Sequence, residues 1–202
     1  MKFGSPETIQ IEILRSTSKD ASPDGKDFSF ELVVGGKSLT AGTSVSGVVG
    51  RTVEMADLRD IASWFAYSWP YFLDHMEPPE SLPGDPSMSF AQRASIETRF
   101  SDEAYDWLEI HNLEFAASYF CLPHVIFQRK GDAMNISWAM RPESYPWGDY
   151  RFSEPPSQVD VPLTVFKDTI FDFMGAVLGL ASEGEEDMRF PLIRQMMDRR
   201  NQ

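Results

Sequence analysis

With one cysteine, Cys121, in 202 residues, the chain cannot form a disulfide within itself. It has three histidines, His75, His111 and His124. Structural zinc needs four ligands, usually supplied as two close pairs. Cys121 and His124 make one such pair, but Leu122-Pro123 stiffens the backbone between them and no second pair accompanies it. H-E-x-x-H is missing too, since Asn112 follows His111. His111, Cys121 and His124 are therefore the weak metal candidates, and the expectation is a chain without a metal or other cofactor.

Long apolar runs are absent as well. No stretch approaches the ~18 residues that a membrane-spanning helix requires. The opening MKFGSPETIQ has no apolar core behind Lys2, unlike a secretory leader. A cytoplasmic chain with no membrane partner is the expectation.

Positive charge is scarce: 18 Lys and Arg against 31 Asp and Glu give a formal net charge of −13. The deficit runs along the whole chain. Residues 1–100 carry nine basic and fourteen acidic groups, and residues 101–202 nine and seventeen. Such a surface repels phosphate backbones, which argues against nucleic-acid binding. The stretch Arg189–Gln202 is a local exception, with Arg189, Arg194, Arg199 and Arg200 against Asp198 alone. Pairing with the nearby Glu183, Glu185, Glu186 and Asp187 is the expected use of these cations.

Catalytic signatures are equally thin. There is no G-x-S-x-G, phosphate-binding loop or dinucleotide fingerprint; Gly35-Gly36-Lys37-Ser38 lacks the upstream glycine of a P-loop. A nucleophilic Cys121 would need a base within hydrogen-bond reach and a third group to orient it. Three residues across a proline are a poor frame for that. The acids Asp102, Glu103 and Asp106 sit where a helix start favours negative charge. The expectation is a chain with no catalytic residues of its own.

What is present is an ordinary globular mixture: 42% hydrophobic, 13% aromatic and 24% charged. This suits one α+β domain over residues 1–202, with N-terminal antiparallel strands and a later hairpin packed against three or four helices. Residues 1–53 read as mainly β. Ile9–Ile13 and Phe28–Val34 alternate apolar and polar around the turn signal Pro23-Asp24-Gly25, and a third strand is expected over Val48–Val53. Residues 54–122 read as helical. Leu58, Ile61, Phe65, Trp69 and Phe72 share one face, Trp64, Tyr67 and Tyr71 form a second stripe, and Pro70 should kink the helix. A long helix in one or two parts is expected from about Ser89 to Phe120.

Residues 123–162 read as a hairpin, Val125–Phe127 and Asn135–Met140 about Lys130-Gly131-Asp132, then a Pro/aromatic loop over 141–157. Pro162 suits a first helical turn, with Asp160 as its cap. Residues 163–202 read as helical, with Gly175 and Gly179 marking a packing seam.

Two segments suggest binding. Tyr145, Trp147, Tyr150 and Phe152 in the loop offer large rigid side chains of the kind that dominate interfaces. Trp69-Pro70-Tyr71-Phe72 is the other cluster. Three functional readings follow: a protein-interaction module, an acidic immunity protein that neutralises a basic toxin or nuclease, and a metal- or Cys/His-dependent enzyme.

A series of motifs adds to the first reading. Trp64-x4-Trp69, Trp107-x3-His111-x-Leu113, Leu122-Pro123-x2-Ile126-Phe127, Gly131-Asp132 and Ile136-Ser137-Trp138 occur in order, and Phe166-x3-Ile170-x2-Phe173-x3-Val177 closes the series. Over about residues 28–180 this resembles the N-terminal region of bacterial proteins from mobile-element and phage-defence genes, some joined to zinc peptidases of the ImmA/IrrE type. No zinc-binding pair of histidines follows in this sequence. The resemblance therefore implies a recognition or regulatory module, a sensor, adaptor or inhibitor with a protein partner, and transfers no catalytic residue.

Overall fold

The computed structural model describes residues 1–15, 28–44, 49–50, 58–74, 77–96, 99–116, 124–139, 150–152, 154–180 and 188–200. The architecture is α+β. Its strands are β1 (Lys2–Gly4), β2 (Ile9–Arg15), β3 (Phe28–Val34), β4 (Lys37–Ser38), β5 (Gly42–Ser44), β6 (Val49–Gly50), β7 (His124–Lys130), β8 (Ala133–Ala139), β9 (Tyr150–Phe152) and β10 (Ser157–Pro162). The helices are α1 (Leu58–Leu73), α2 (Phe90–Ala94), α3 (Asp102–His111), α4 (Leu163–Gly179) and α5 (Phe190–Asp198), with a 3-10 turn at Leu113–Ala116.

Alternation in the sequence sets the first sheet, ordered β1-β2-β3-β4. Ile9, Ile11 and Ile13 stand opposite Val34, Leu32 and Phe30, so all six apolar side chains fall on one face. All six are buried. The second sheet, β10-β8-β7, uses the same device, with Val125 opposite Trp138 and Phe127 opposite Ile136. Helices α1 and α4 fill the space against these faces. Phe65 meets Phe127 and Phe173 with ring centroids 5.7 and 6.3 Å apart, and Trp69 meets Phe171 edge-on at 5.0 Å. The other face of the second sheet carries Ile126 and Ala139, which pack with Trp107, Leu108, Ala91 and Leu82 into a smaller apolar cluster.

Several elements differ from the sequence reading, each for a physical reason. The expected third strand of the N-terminal meander is only Val49–Gly50 among the described residues, and it pairs with β5 in a separate sheet, β6-β5-β9. That sheet joins residue 42 to residue 152, a pairing no local pattern announces. The helix expected in one or two parts over 89–120 is divided, because two serines each start a helix, and its helical parts are shorter than expected. Ser89 forms a capping box with Gln92, and the Ser101 hydroxyl accepts from the Ala104 amide. Asn112 then turns extended and ends α3.

The hairpin is longer than expected. Gly131 at φ 60° lets Gly131-Asp132 turn the chain alone, so β7 and β8 pair from Lys130 and Ala133 outward. Part of the expected aromatic loop is strand, at 150–152 and from Ser157 onward. Asp160 does not cap α4; it lies in β10 and accepts from Asn135 at 2.6 Å, while Pro162 passes from strand to helix with no side-chain cap.

Helix α1 runs through Pro70 to Leu73. The turn at 23–25 lies outside the described residues. Of the two seam glycines, Gly175 is where α5 comes near: a Cβ there would stand 3.3 Å from Met197 Cε, while one at Gly179 would meet nothing.

Candidate functional site

The described residues proposed for chemistry, His111 and His124, are turned inward. His111 ends α3, 1% exposed, stacked on the Trp107 ring at 4.3 Å and edge-on to Phe72 at 5.9 Å. Its Nδ1 lies 2.8 Å from the Trp107 carbonyl, so it carries the proton and donates. Its Nε2 has no hydrogen-bond partner among the described residues. Burial among rings disfavours the imidazolium and holds this histidine down to about 4, against a small opposing effect of the Trp107 carbonyl.

His124 opens β7 in a different environment. The Asn112 side-chain oxygen accepts from the Glu114 amide at 3.2 Å, which fixes the orientation of its NH2 group. That NH2 lies 3.1 Å from His124 Nδ1, which must therefore accept. The proton sits on Nε2, 2.8 Å from Glu114 Oε2. Burial pushes His124 down to about 4 as well. Both ring nitrogens are thus engaged by neighbours in the fold. The arrangement clamps the 3-10 turn to the start of β7, beside the bridge between Asn112 and Ile126. It leaves no nitrogen of His124 open to a metal or substrate.

Cys121, the third member of the expected metal set, lies outside the described residues, as does His75. No group of three or more His, Cys, Asp or Glu side chains suited to a metal is found among the described residues. No described helix is long and apolar enough to cross a membrane.

The expected docking residues are divided. Tyr145 and Trp147 lie outside the described residues. Tyr150 and Phe152 belong to β9, paired with Ser44 and Gly42. The other aromatic cluster divides by face: Trp69 and Phe72 are buried, while Pro70 and Tyr71 join Tyr67 at the surface.

A cleft of about 230 Å³ runs beside that surface ridge, lined by Ala66, Tyr67, Pro70 and Tyr71 from α1 and by Leu192, Gln195, Met196 and Arg199 from α5. The spacing explains the lining: 192, 195, 196 and 199 fall on one face of a helix. Helix α5 is anchored by the buried Phe190, Ile193 and Met196. Ion pairs hold its ends, Arg189 with Asp60 of α1 and Arg200 with Asp172 of α4 at 2.8 Å. Glu183–Asp187, the partners expected for these arginines, lie outside the described residues.

Arg199 is exposed, and no acidic partner for it is found among the described residues. Tyr67 is 49% exposed, and its ring centroid is 6.0 Å from that of Tyr71. Its hydroxyl is held above the ordinary tyrosine range, first by burial, then by Tyr71 and the negative charges of Glu109 and Asp106 on α3. Pro70 cannot donate to the Ala66 carbonyl, so a normal helix bond is missing at the cleft wall.

The sequence signal for this site was the second aromatic stripe on α1; the contribution of α5 could not be read locally. No protein-family model, curated protein or solved structure matches this chain.

Proposed function

We propose that this chain is a non-catalytic protein-interaction module that docks a protein partner at the α1–α5 cleft. The observation that carries the reading is the half-exposed Tyr67–Tyr71 pair beside Arg199. Tyrosine and arginine combine large contact area with polar tips, and they concentrate where interfaces draw their energy. A ridge of two tyrosines i, i+4 on a rigid helix is also pre-organised, so little side-chain freedom is lost on contact. The internal bonding of His124 and the aromatic enclosure of His111 support the same reading, since neither ring presents a nitrogen at the surface.

The resemblance of the motif series to defence and mobile-element proteins supports a setting inside a bacterial cell as a sensor, adaptor or inhibitor. The test uses a photo-crosslinking residue placed at position 67 in cells. Position 147, in the aromatic segment, and position 167, on α4, serve as separate comparisons. Discrete protein adducts from 67 support the cleft. Adducts from 147 alone move the docking surface to the aromatic segment, and equal background at all three refutes docking.

A further inference from the structure

The cleft belongs to a wider face built by three adjacent helices. Helix α1 packs between α3 and α5: Trp64 Nε1 donates to the Glu109 carbonyl of α3 at 2.9 Å, and Asp60 pairs with Arg189 beside α5. The α3 flank presents Asp106 and Glu109, both exposed and close enough to Tyr67 to act on its hydroxyl. The α5 flank presents Arg199. Arg194, over the Phe190 ring, falls on the other side of α5 from the residues that line the cleft. Between the flanks runs the ridge of Tyr67, Pro70 and Tyr71. The face is thus acidic on one side, aromatic along its centre and basic on the other.

A face with this order is complementary to itself. Rotation by 180° about an axis through the tyrosine ridge lays the Arg199 flank of one copy over the Glu109 flank of the other, twice. Ridge meets ridge at the centre. Such isologous contacts are the commonest way in which chains pair. We infer that the protein docked on this face is a second copy of this chain, in a symmetric dimer centred on Tyr67 and held by Arg199–Glu109 pairs. The inference rests on the docking reading and names its partner.

The size of the face bounds the strength. Helix α1 has 16 residues, about 24 Å at 1.5 Å per residue. Helices α3 and α5 are shorter, at 10 and 9 residues, so three strips about 9 Å wide present on the order of 500 Å² per copy. This falls short of the ~800 Å² per partner of a standard stable interface, which places the contact in the weak, transient class. A charge of −13 on each copy opposes pairing at low ionic strength. Salt near 0.15 M, with a screening length of about 8 Å, relieves that long-range repulsion while the contacting pairs persist.

The full chain is followed by sedimentation velocity from about 1 to 200 µM in 0.15 M salt, a range that reaches weak association. The expected result is a reversible shift from the 22.9 kDa monomer to twice that mass. Arg199→Glu and Glu109→Arg should each weaken the dimer by about tenfold or more, since each places like charges opposite one another twice. The double variant Arg199→Glu/Glu109→Arg restores opposite charges and should recover to within about threefold, an outcome misfolding cannot give. Unchanged tryptophan emission and circular dichroism show that each variant is folded.

A monomer throughout the range overturns the inference. So does a dimer that Tyr67→Ala and both charge variants leave intact, or a double variant no better than the singles. If the chain stays monomeric while a crosslinker at position 67 captures a different protein, docking stands and self-pairing fails.

Discussion

His111 makes stability depend on pH in a way that can be isolated. Its folded value of about 4 lies below the ordinary 6.5 because the ring is enclosed by Trp107 and Phe72. The unfolded chain therefore binds the proton more readily. The stability is fully present above pH 6.5 and is lost as pH falls through 4. At about 1.4 kcal/mol per pH unit the whole effect is ~3 kcal/mol, and ~2 kcal/mol has gone by pH 5. Carboxylates add their own acid dependence, so a difference between variants is the useful quantity. His111→Phe keeps a ring in the stack and removes the titration. Urea unfolding followed by the fluorescence of the five tryptophans gives the stability of both proteins at pH 8, 7, 6 and 5. The variant carries a fixed cost at pH 8 from the lost bond to the Trp107 carbonyl. Relative to the parent it should then gain about 2 kcal/mol between pH 8 and pH 5. Parallel curves, with a constant difference across that range, would refute the burial argument.

Three further outcomes follow from the same geometry. Nitrogen-15 spectra of the histidine rings above pH 6 should show His124 protonated at Nε2 and His111 at Nδ1; the opposite tautomers would contradict the bonding described. Asn112→Ala removes both the donor to His124 and the acceptor of the Glu114 amide, and should lower unfolding stability by about 2 kcal/mol in urea melts. Gly4→Ala should cost at least ~2 kcal/mol by the same assay. Gly4 has a φ of 79°, and a Cβ there would stand 2.2 Å from the Ile9 carbonyl and 2.5 Å from Thr169 Oγ1.

What the sequence discloses depends on the range of the interaction that creates it. The strands β2 and β3 were legible because their apolar residues alternate, and α4 because Phe166, Ile170, Phe173 and Val177 recur at helical spacing. The starts of α2 and α3 were also written locally, in Ser89, Gln92 and Ser101. The sheet joining Gly42 to Phe152 and the position of α5 were not legible, since both depend on contacts between distant segments.

The candidate site divides in the same way. One wall, Tyr67 and Tyr71, is a local stripe; the other is placed by Arg189 reaching Asp60 and Arg200 reaching Asp172. This accounts for the basic end of an otherwise acidic chain. Two of its four arginines fasten the helix to α1 and α4. Arg199, turned to the cleft, lies at the surface where a partner's carboxylate can meet it. Neutralising Arg200 should therefore loosen α5 and reduce stability, whereas neutralising Arg199 should leave the fold intact and alter docking alone.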